Sequence, residues 1–269
     1  MTSLRRKKVS IVFLNEPDFE ELAFRFLILN LNKIQKCFEF EFPDIEEYPF
    51  DEKDFAYEDT SALLDFTDII QKEEVDADYF IGIASCEIAE NYFWIASQGG
   101  NTSIITTKGW EKLFAPPSVF EYVINCLIPV LAIMADKTGT IESHGPTRGC
   151  CLDYVYFKEN ARVDIALGYI CDACRSEIQE KLGKDYLECF EKINSMNWLG
   201  DVNEMGTIAR DLKKFFRIDL SKDTGFHKTR RERMKEYLLE LPEKLITLSL
   251  STLTAAIIGF IVGLLFGKG

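Results

Sequence analysis

Between residues 142 and 174 the chain reads ESHGPTRGCCLDYVYFKENARVDIALGYICDAC. Cys171 and Cys174 form a CxxC, which lets two thiolates grip one ion from a single tight turn. His144 and the pair Cys150-Cys151 lie upstream and add an imidazole and further sulfur. A borderline-soft ion such as Zn²⁺ takes four N or S ligands tetrahedrally, and one histidine with three cysteines suits it. The expected set is His144, Cys151, Cys171 and Cys174, with Cys150 as the alternative to Cys151. Four protein donors close the coordination shell, so the site is structural; catalysis needs an open position.

Two other readings of the same residues stand beside this one. A CxxC can be a redox pair at a strand-to-helix turn, and Tyr169-Ile170 before it with Arg175 to Glu180 after it allow that. The thiols can also be plain buried side chains. Metal is favoured because one of only two histidines falls beside the cysteine pair. The other, His227, lies in a basic linker and reads as exposed.

From Tyr79 onward the sequence resembles the archaemetzincins, a zincin family of metallopeptidases. Their metal helix carries HExxHxxGxxH, and a cysteine region follows that ends in C-x-M-x17-C-x-x-C. Here Cys151-Leu152-Asp153, seventeen residues, then Cys171-Asp172-Ala173-Cys174 keep that spacing, with Asp153 in the methionine position. YFWIAS, QGGN and TSIITTKGWEKL resemble the strand, turn and strand before the family's active helix. The similarity covers about 80 to 175. It implies a zincin-like mixed sheet with helices and a zinc-bound cysteine region.

The departures bear on activity. If His144 stands for the third histidine, Met134, Ala135 and Thr138 occupy the places of the first histidine, the glutamate base and the second histidine. Ile141 replaces the glycine, and Pro146 falls where the family's first metal-region cysteine belongs. A zincin needs imidazoles to hold the ion and a carboxylate to deprotonate its water, and two histidines in the whole chain cannot supply that set. The expectation is a non-catalytic, zinc-binding, degenerate zincin acting as a sensor, scaffold or membrane effector. The alternative is a membrane-tethered zinc metallopeptidase with an atypical site, Glu142 beside His144. A third reading makes the N-terminal α/β domain a small-ligand receptor, although Gly99-Gly100 leads into a strand and not into a helix as a phosphate loop would.

The elements that position these residues follow a strand–helix alternation. Val9 to Leu14 is a nearly continuous apolar run, as in a strand covered on both faces. Asp18 is a plausible cap for a helix whose face is Phe19, Leu22, Phe26, Leu29 and Asn30, continuing to Ile34. Phe38 to Phe42 alternates as a half-buried strand. Ser61 to Glu74 reads as a helix, Tyr79 to Ala84 as a strand, and Tyr92 to Ser97 with Ser103 to Thr107 as a hairpin across Gln98–Asn101. A helical turn spans Trp110 to Phe114. Ser118 then caps a helix to about Met134 with Phe120, Val123, Ile124, Leu127, Val130 and Leu131 on its face. Later helices are expected at about Cys174 to Lys192 and Gly206 to Phe216. Residues 1–136 are thus an α/β domain, 137–200 a Cys/His segment with a helix, and 201–243 a helical basic linker.

The last segment, 244–267, reads as a transmembrane helix. Leu245 to Phe266 (LITLSLSTLTAAIIGFIVGLLF) has no charge, and 22 residues of helix span about 33 Å, against a hydrocarbon core of about 30 Å. A span this late implies a tail-anchored protein. Ser251, Ala255, Gly259, Gly263 and Gly267 recur at every fourth position along one side, and small residues let two backbones approach closely, so homo-oligomers through this helix are expected. Lys228, Arg230, Arg231, Arg233, Lys235 and Lys244 precede the span and only Lys268 follows, which places the body on the cytoplasmic side. The chain shows no cleavable signal pattern, and its cysteines fit a reducing compartment. The net charge of −13 argues against a nucleic-acid surface, and the acidic stretch Asp44 to Asp59 reads as a solvated loop without a role. Protein partners are not legible.

Overall fold

Five strands form one sheet in the order β2-β1-β3-β5-β4. They are β1 (Lys7–Phe13), β2 (Phe38–Glu41), β3 (Tyr79–Ala84), β4 (Trp94–Ala96) and β5 (Thr102–Thr106). β1 pairs in parallel with β2 and β3, and β3 in parallel with β5; β4 alone runs antiparallel, against β5. The computed structural model describes residues 5–44, 48–49, 59–73, 75–88, 92–97, 100–110, 117–155 and 160–220. All of these belong to the first compact unit of the chain, Met1–Phe226.

The central strands are covered on both faces, which is why β1 and β3 read as nearly continuous apolar runs. On β1, Val9, Ile11 and Phe13 face one core and Val12 the other; on β3, Tyr79, Ile81 and Ile83 oppose Phe80 and Ala84 in the same way. Gly82 is the close-packed point of β3: a Cβ there would lie 2.6 Å from Cδ1 of Leu14. The first core is built with α1 (Glu21–Ile34), α3 (Val119–Ala135) and, after the Cys/His segment, α6 (Lys184–Ser195). The second is closed by α2 (Asp59–Lys72) through Ala62, Phe66 and Ile70. Edge strand β2 alternates as expected, with Phe38 packing on Tyr186 and Phe190 of α6 at centroid distances of 5.6 and 5.7 Å.

Two expectations for α1 are corrected. The helix starts at Glu21 behind Glu20, which makes no side-chain cap, and not at Asp18. Its buried residues are Ala23, Phe24, Leu27, Ile28, Asn30 and Leu31; of the expected face Phe19 and Asn30 are buried, whereas Leu22 and Leu29 are 63% and 43% exposed. A helix apolar on most of its circumference has no single period to read. The expected helix from Cys174 to Lys192 is two: α5 (Asp172–Lys181) and α6, parted at Gly183, whose φ of +96° no other residue type adopts readily. The helix expected over 206–216 is α7 (Ile208–Asp211) followed by a π-helical turn, Leu212–Phe216.

Helix α3 meets its expectation closely. Ser118 accepts from the Glu121 N–H and Glu121 from the Ser118 N–H, a reciprocal capping box. Phe120, Val123, Ile124, Leu127, Val130 and Leu131 are all buried, and so is nearly every other residue of the helix. Asn125 of α3 donates to Asn194 of α6 at 3.4 Å, so the sheet and the Cys/His segment share one interior. Among the described residues no helix is long and apolar enough to cross a membrane. The apolar run 245–266, its small-residue row from Ser251 to Gly267, the basic flank from His227 onward and nearly all of the acidic stretch lie outside the described residues. So does most of the turn expected at 110–114.

Candidate metal centre

The site begins where α3 stops. Asp136 follows the helix and its carboxylate takes the N–H groups of Thr138, Thr140 and Ile141 at 2.8–2.9 Å, with the Thr138 hydroxyl at 2.5 Å. Burial works against this charge, but those donors outweigh it and hold the carboxyl well below its ordinary range. The chain then runs extended to His144, whose N–H donates to Leu152 and whose carbonyl accepts from Tyr154. A second bridge joins Cys150 to Tyr169, and the Cys151 N–H donates to the Tyr169 carbonyl at 2.9 Å. Three passes of chain, at 144, 150–153 and 169, are thereby laid side by side.

A short helix, α4 (Ala161–Leu167), brings the chain back and ends at Gly168 in the left-handed conformation, φ +54°. A Cβ at Gly168 would lie 2.9 Å from the carbonyl oxygen of Asn194, so the chain passes α6 with no room for a side chain. Cys171 is the N-cap of α5 and Cys174 sits in its first turn. The CxxC therefore stands at the N-terminus of α5.

His144, Cys150, Cys171 and Cys174 present ligand atoms that all lie within 4.8 Å of one another. Nε2 of His144 is 3.4 Å from Sγ of Cys171. A tetrahedral zinc with Zn–S of about 2.3 Å and Zn–N of about 2.0 Å separates its N and S ligands by about 3.6 Å. The His144–Cys171 pair thus already stands at nearly the spacing the ion requires, and the other donors lie within 4.8 Å of it. Three sulfurs and one imidazole nitrogen are the donor set of a closed Cys₃His site, and the group can bind zinc.

The surroundings complete the arrangement. Oδ1 of Asp153, fully buried, lies 3.1 Å from Nδ1 of His144, close but misaligned for a directed hydrogen bond. The other oxygen of Asp153 accepts from the N–H groups of Arg148, Gly149 (2.7 Å) and Cys150 (3.0 Å), so one carboxylate shapes the loop and stands beside the ring. The Cys171 N–H donates to Sγ of Cys150 at 3.3 Å. Hydrogen bonds from the Cys151 and Cys174 thiols, helped by the Cys171 and Leu152 N–H groups, hold Cys150 far below the ordinary thiol range despite burial. The same sharing, with burial, raises Cys174 and Cys151. Metal ligation requires these thiols in their deprotonated form, so ion binding releases protons. Asp164 is buried nearby, and burial, then the charges of Asp153 and Cys150, push its carboxyl up to about 7.

Of the expected ligands, His144, Cys171 and Cys174 come together, and the fourth sulfur is the alternative, Cys150. Cys151 is not in the group: adjacent residues of an extended segment point to opposite sides, and the Cys150 sulfur is the one facing Cys171. Asp153, noted in the sequence only for its place in a spacing, is the partner of His144; an acidic residue two positions beyond the cysteine pair was the available signal. Met134 is buried in α3, Ala135 is its last residue and Thr138 lies beyond it, so these positions do not share one helical face. Glu142 is exposed.

No protein-family model matches the chain, and no curated protein matches it. Solved structures similar to it include archaemetzincin from Methanopyrus kandleri, at 16% identity and a TM-score of 0.46, covering 66% of this chain and 97% of that one. Archaemetzincin from Archaeoglobus fulgidus, complexed with malonate, is 15% identical, with a TM-score of 0.40 and coverage of 63% and 99%. A zinc-dependent peptidase from Methanocorpusculum labreanum is 12% identical, with a TM-score of 0.43 and coverage of 64% and 99%. Over roughly two thirds of its length the chain is similar to archaemetzincin and zinc-dependent peptidase structures.

Proposed function

We propose that this chain is a non-catalytic, membrane-anchored zinc protein, a degenerate zincin in which the ion staples the fold. Its output, as sensor, scaffold or membrane effector, passes through the apolar segment 245–266, which spans the membrane and self-associates along Ser251, Ala255, Gly259, Gly263 and Gly267. The body lies on the cytoplasmic side. One observation carries the reading: His144, one of only two histidines, is already committed among three cysteines, 3.4 Å from Cys171.

Catalytic zinc keeps a coordination position for water, and a carboxylate must stand by to deprotonate it. Cys150, Cys171 and Cys174 with His144 fill all four positions. The peptidase alternative relies on Glu142, which is exposed, and has His227 as its only other imidazole. The test is peptide hydrolysis by the zinc-loaded full chain in detergent. Cleavage no faster than by the chelator-treated protein is expected; zinc-dependent hydrolysis would overturn the proposal.

A further inference from the structure

We propose that the turn Lys213–Arg217, centred on Phe215, docks the body onto an anionic lipid surface. The inference rests on the membrane-anchored reading and adds a second, peripheral contact to it. Phe215 is 63% exposed, while the residues either side of it hold the turn in place. Leu212 is fully buried, and Phe216 packs on Phe26 of α1 at a centroid distance of 5.4 Å. The exposure of Phe215 is therefore set by a clamped turn and does not come from a loose end.

Charge surrounds this ring in a pattern opposite to that of the whole molecule. The chain carries a net −13, yet Lys213, Lys214 and Arg217 are all exposed within five residues. Lys213 is paired with Asp219 at 2.9 Å. Nζ of Lys214 lies 4.9 Å from the Phe215 ring centroid, so ring and cation project together. An aromatic ring flanked by long cationic side chains fits the headgroup region: the ring enters the acyl boundary while the ammonium and guanidinium groups reach phosphates and carboxylates. The cytoplasmic leaflet is anionic and supplies the matching charge.

Chain length permits the contact. Twenty-four residues separate Leu220 from Leu245, a reach of up to about 80 Å when extended, and Lys222, Lys228, Arg230 and Arg231 continue the basic character toward the span. The occupant is thus the leaflet in which the span is embedded. Each basic group near such a surface multiplies the docked-to-undocked ratio by about five at moderate salt.

The experiment uses the full chain reconstituted in two kinds of vesicle, phosphatidylcholine alone and phosphatidylcholine with phosphatidylserine, each containing brominated acyl chains. Tryptophan quenching of Phe215→Trp is read against the parent chain, which supplies the background of its own tryptophans. Excess quenching that needs phosphatidylserine, falls with salt, and drops about 25-fold in docked-to-undocked ratio with Lys214→Gln and Arg217→Gln is expected. Equal quenching in both vesicles, or none, would overturn the inference; protection of position 215 without lipid quenching would assign the ring to a protein partner instead. Alkaline extraction of the same vesicles reads the anchor separately. A chain that stays in the membrane without quenching removes only this contact, whereas a chain that is extracted removes the anchored reading and this contact together.

Discussion

Nδ1 of His144 lies 3.1 Å from the buried carboxylate of Asp153, while Nε2 of the same ring lies 3.4 Å from Sγ of Cys171. One ring nitrogen thus stands beside a buried carboxylate and the other beside a candidate metal-binding sulfur. Partners of this kind typically govern metal affinity by 10–100-fold, roughly. Asp153→Asn should weaken zinc binding by about that factor, measured by competition with a chromogenic chelator. Unchanged affinity would mean that Asp153 only shapes the loop.

The two adjacent cysteines should behave differently. Structural zinc contributes about 10–16 kcal/mol over four ligands, so Cys150→Ser should lose roughly 3 kcal/mol of binding free energy, a hundred-fold or more in affinity. Cys151→Ser should retain its zinc through dialysis against chelator. Zinc content by elemental analysis separates the two, and the reverse result would move the ligand to Cys151.

Gly168 is a positioning residue for the CxxC. Any side chain there meets the Asn194 carbonyl at 2.9 Å and must also adopt a φ of +54°. Gly168→Ala should cost about 1–3 kcal/mol and shift the segment 169–171 that carries Cys171 toward the site. Thermal melting with and without added zinc reads both effects: a mutant with lower Tm and a smaller zinc-induced rise is expected.

Acid should act at Asp136. Its carboxyl is held down in the folded chain by the Thr138 hydroxyl and three backbone N–H groups, working against burial. A depressed acid pKa stabilises the fold fully above the unfolded value of about 3.9 and loses that contribution as pH falls through the folded value. Asp136→Asn should therefore be less stable than the parent at neutral pH, with the difference shrinking below about pH 4. Denaturant midpoints across that range give the check.

Strands were legible because their burial is simple. Val9 to Leu14 and Tyr79 to Ala84 are covered on both faces and are apolar but for Ser10, and the alternation of Phe38 to Phe42 fits a half-buried strand. Ser118 announced α3 by its capping chemistry alone, and the structure adds Glu121 as the reciprocal half of the box. The face of α1 was not legible, since Leu22 and Leu29 are as apolar as Leu27 and Leu31 and only the sheet decides between them. Gly183 carried a stop signal that apolar periodicity overran. At the candidate metal site, residue types and spacing pointed to His144, Cys171, Cys174 and one of the adjacent pair Cys150-Cys151, the four kinds of donor that the fold gathers within 4.8 Å. The choice of Cys150 over Cys151 depends on which way an extended segment is turned by its bridge to Tyr169, and the role of Asp153 depends on the parallel pass of chain at His144. Both are tertiary facts, absent from any local pattern.

The central claim is a zinc ion enclosed by protein, and X-ray absorption at the zinc edge of the purified full chain tests it most directly. One zinc per chain is predicted, with three sulfur neighbours at about 2.3 Å, one imidazole nitrogen at about 2.0 Å and no water oxygen. A shell rich in nitrogen and oxygen, or a second zinc with an open position, would contradict it.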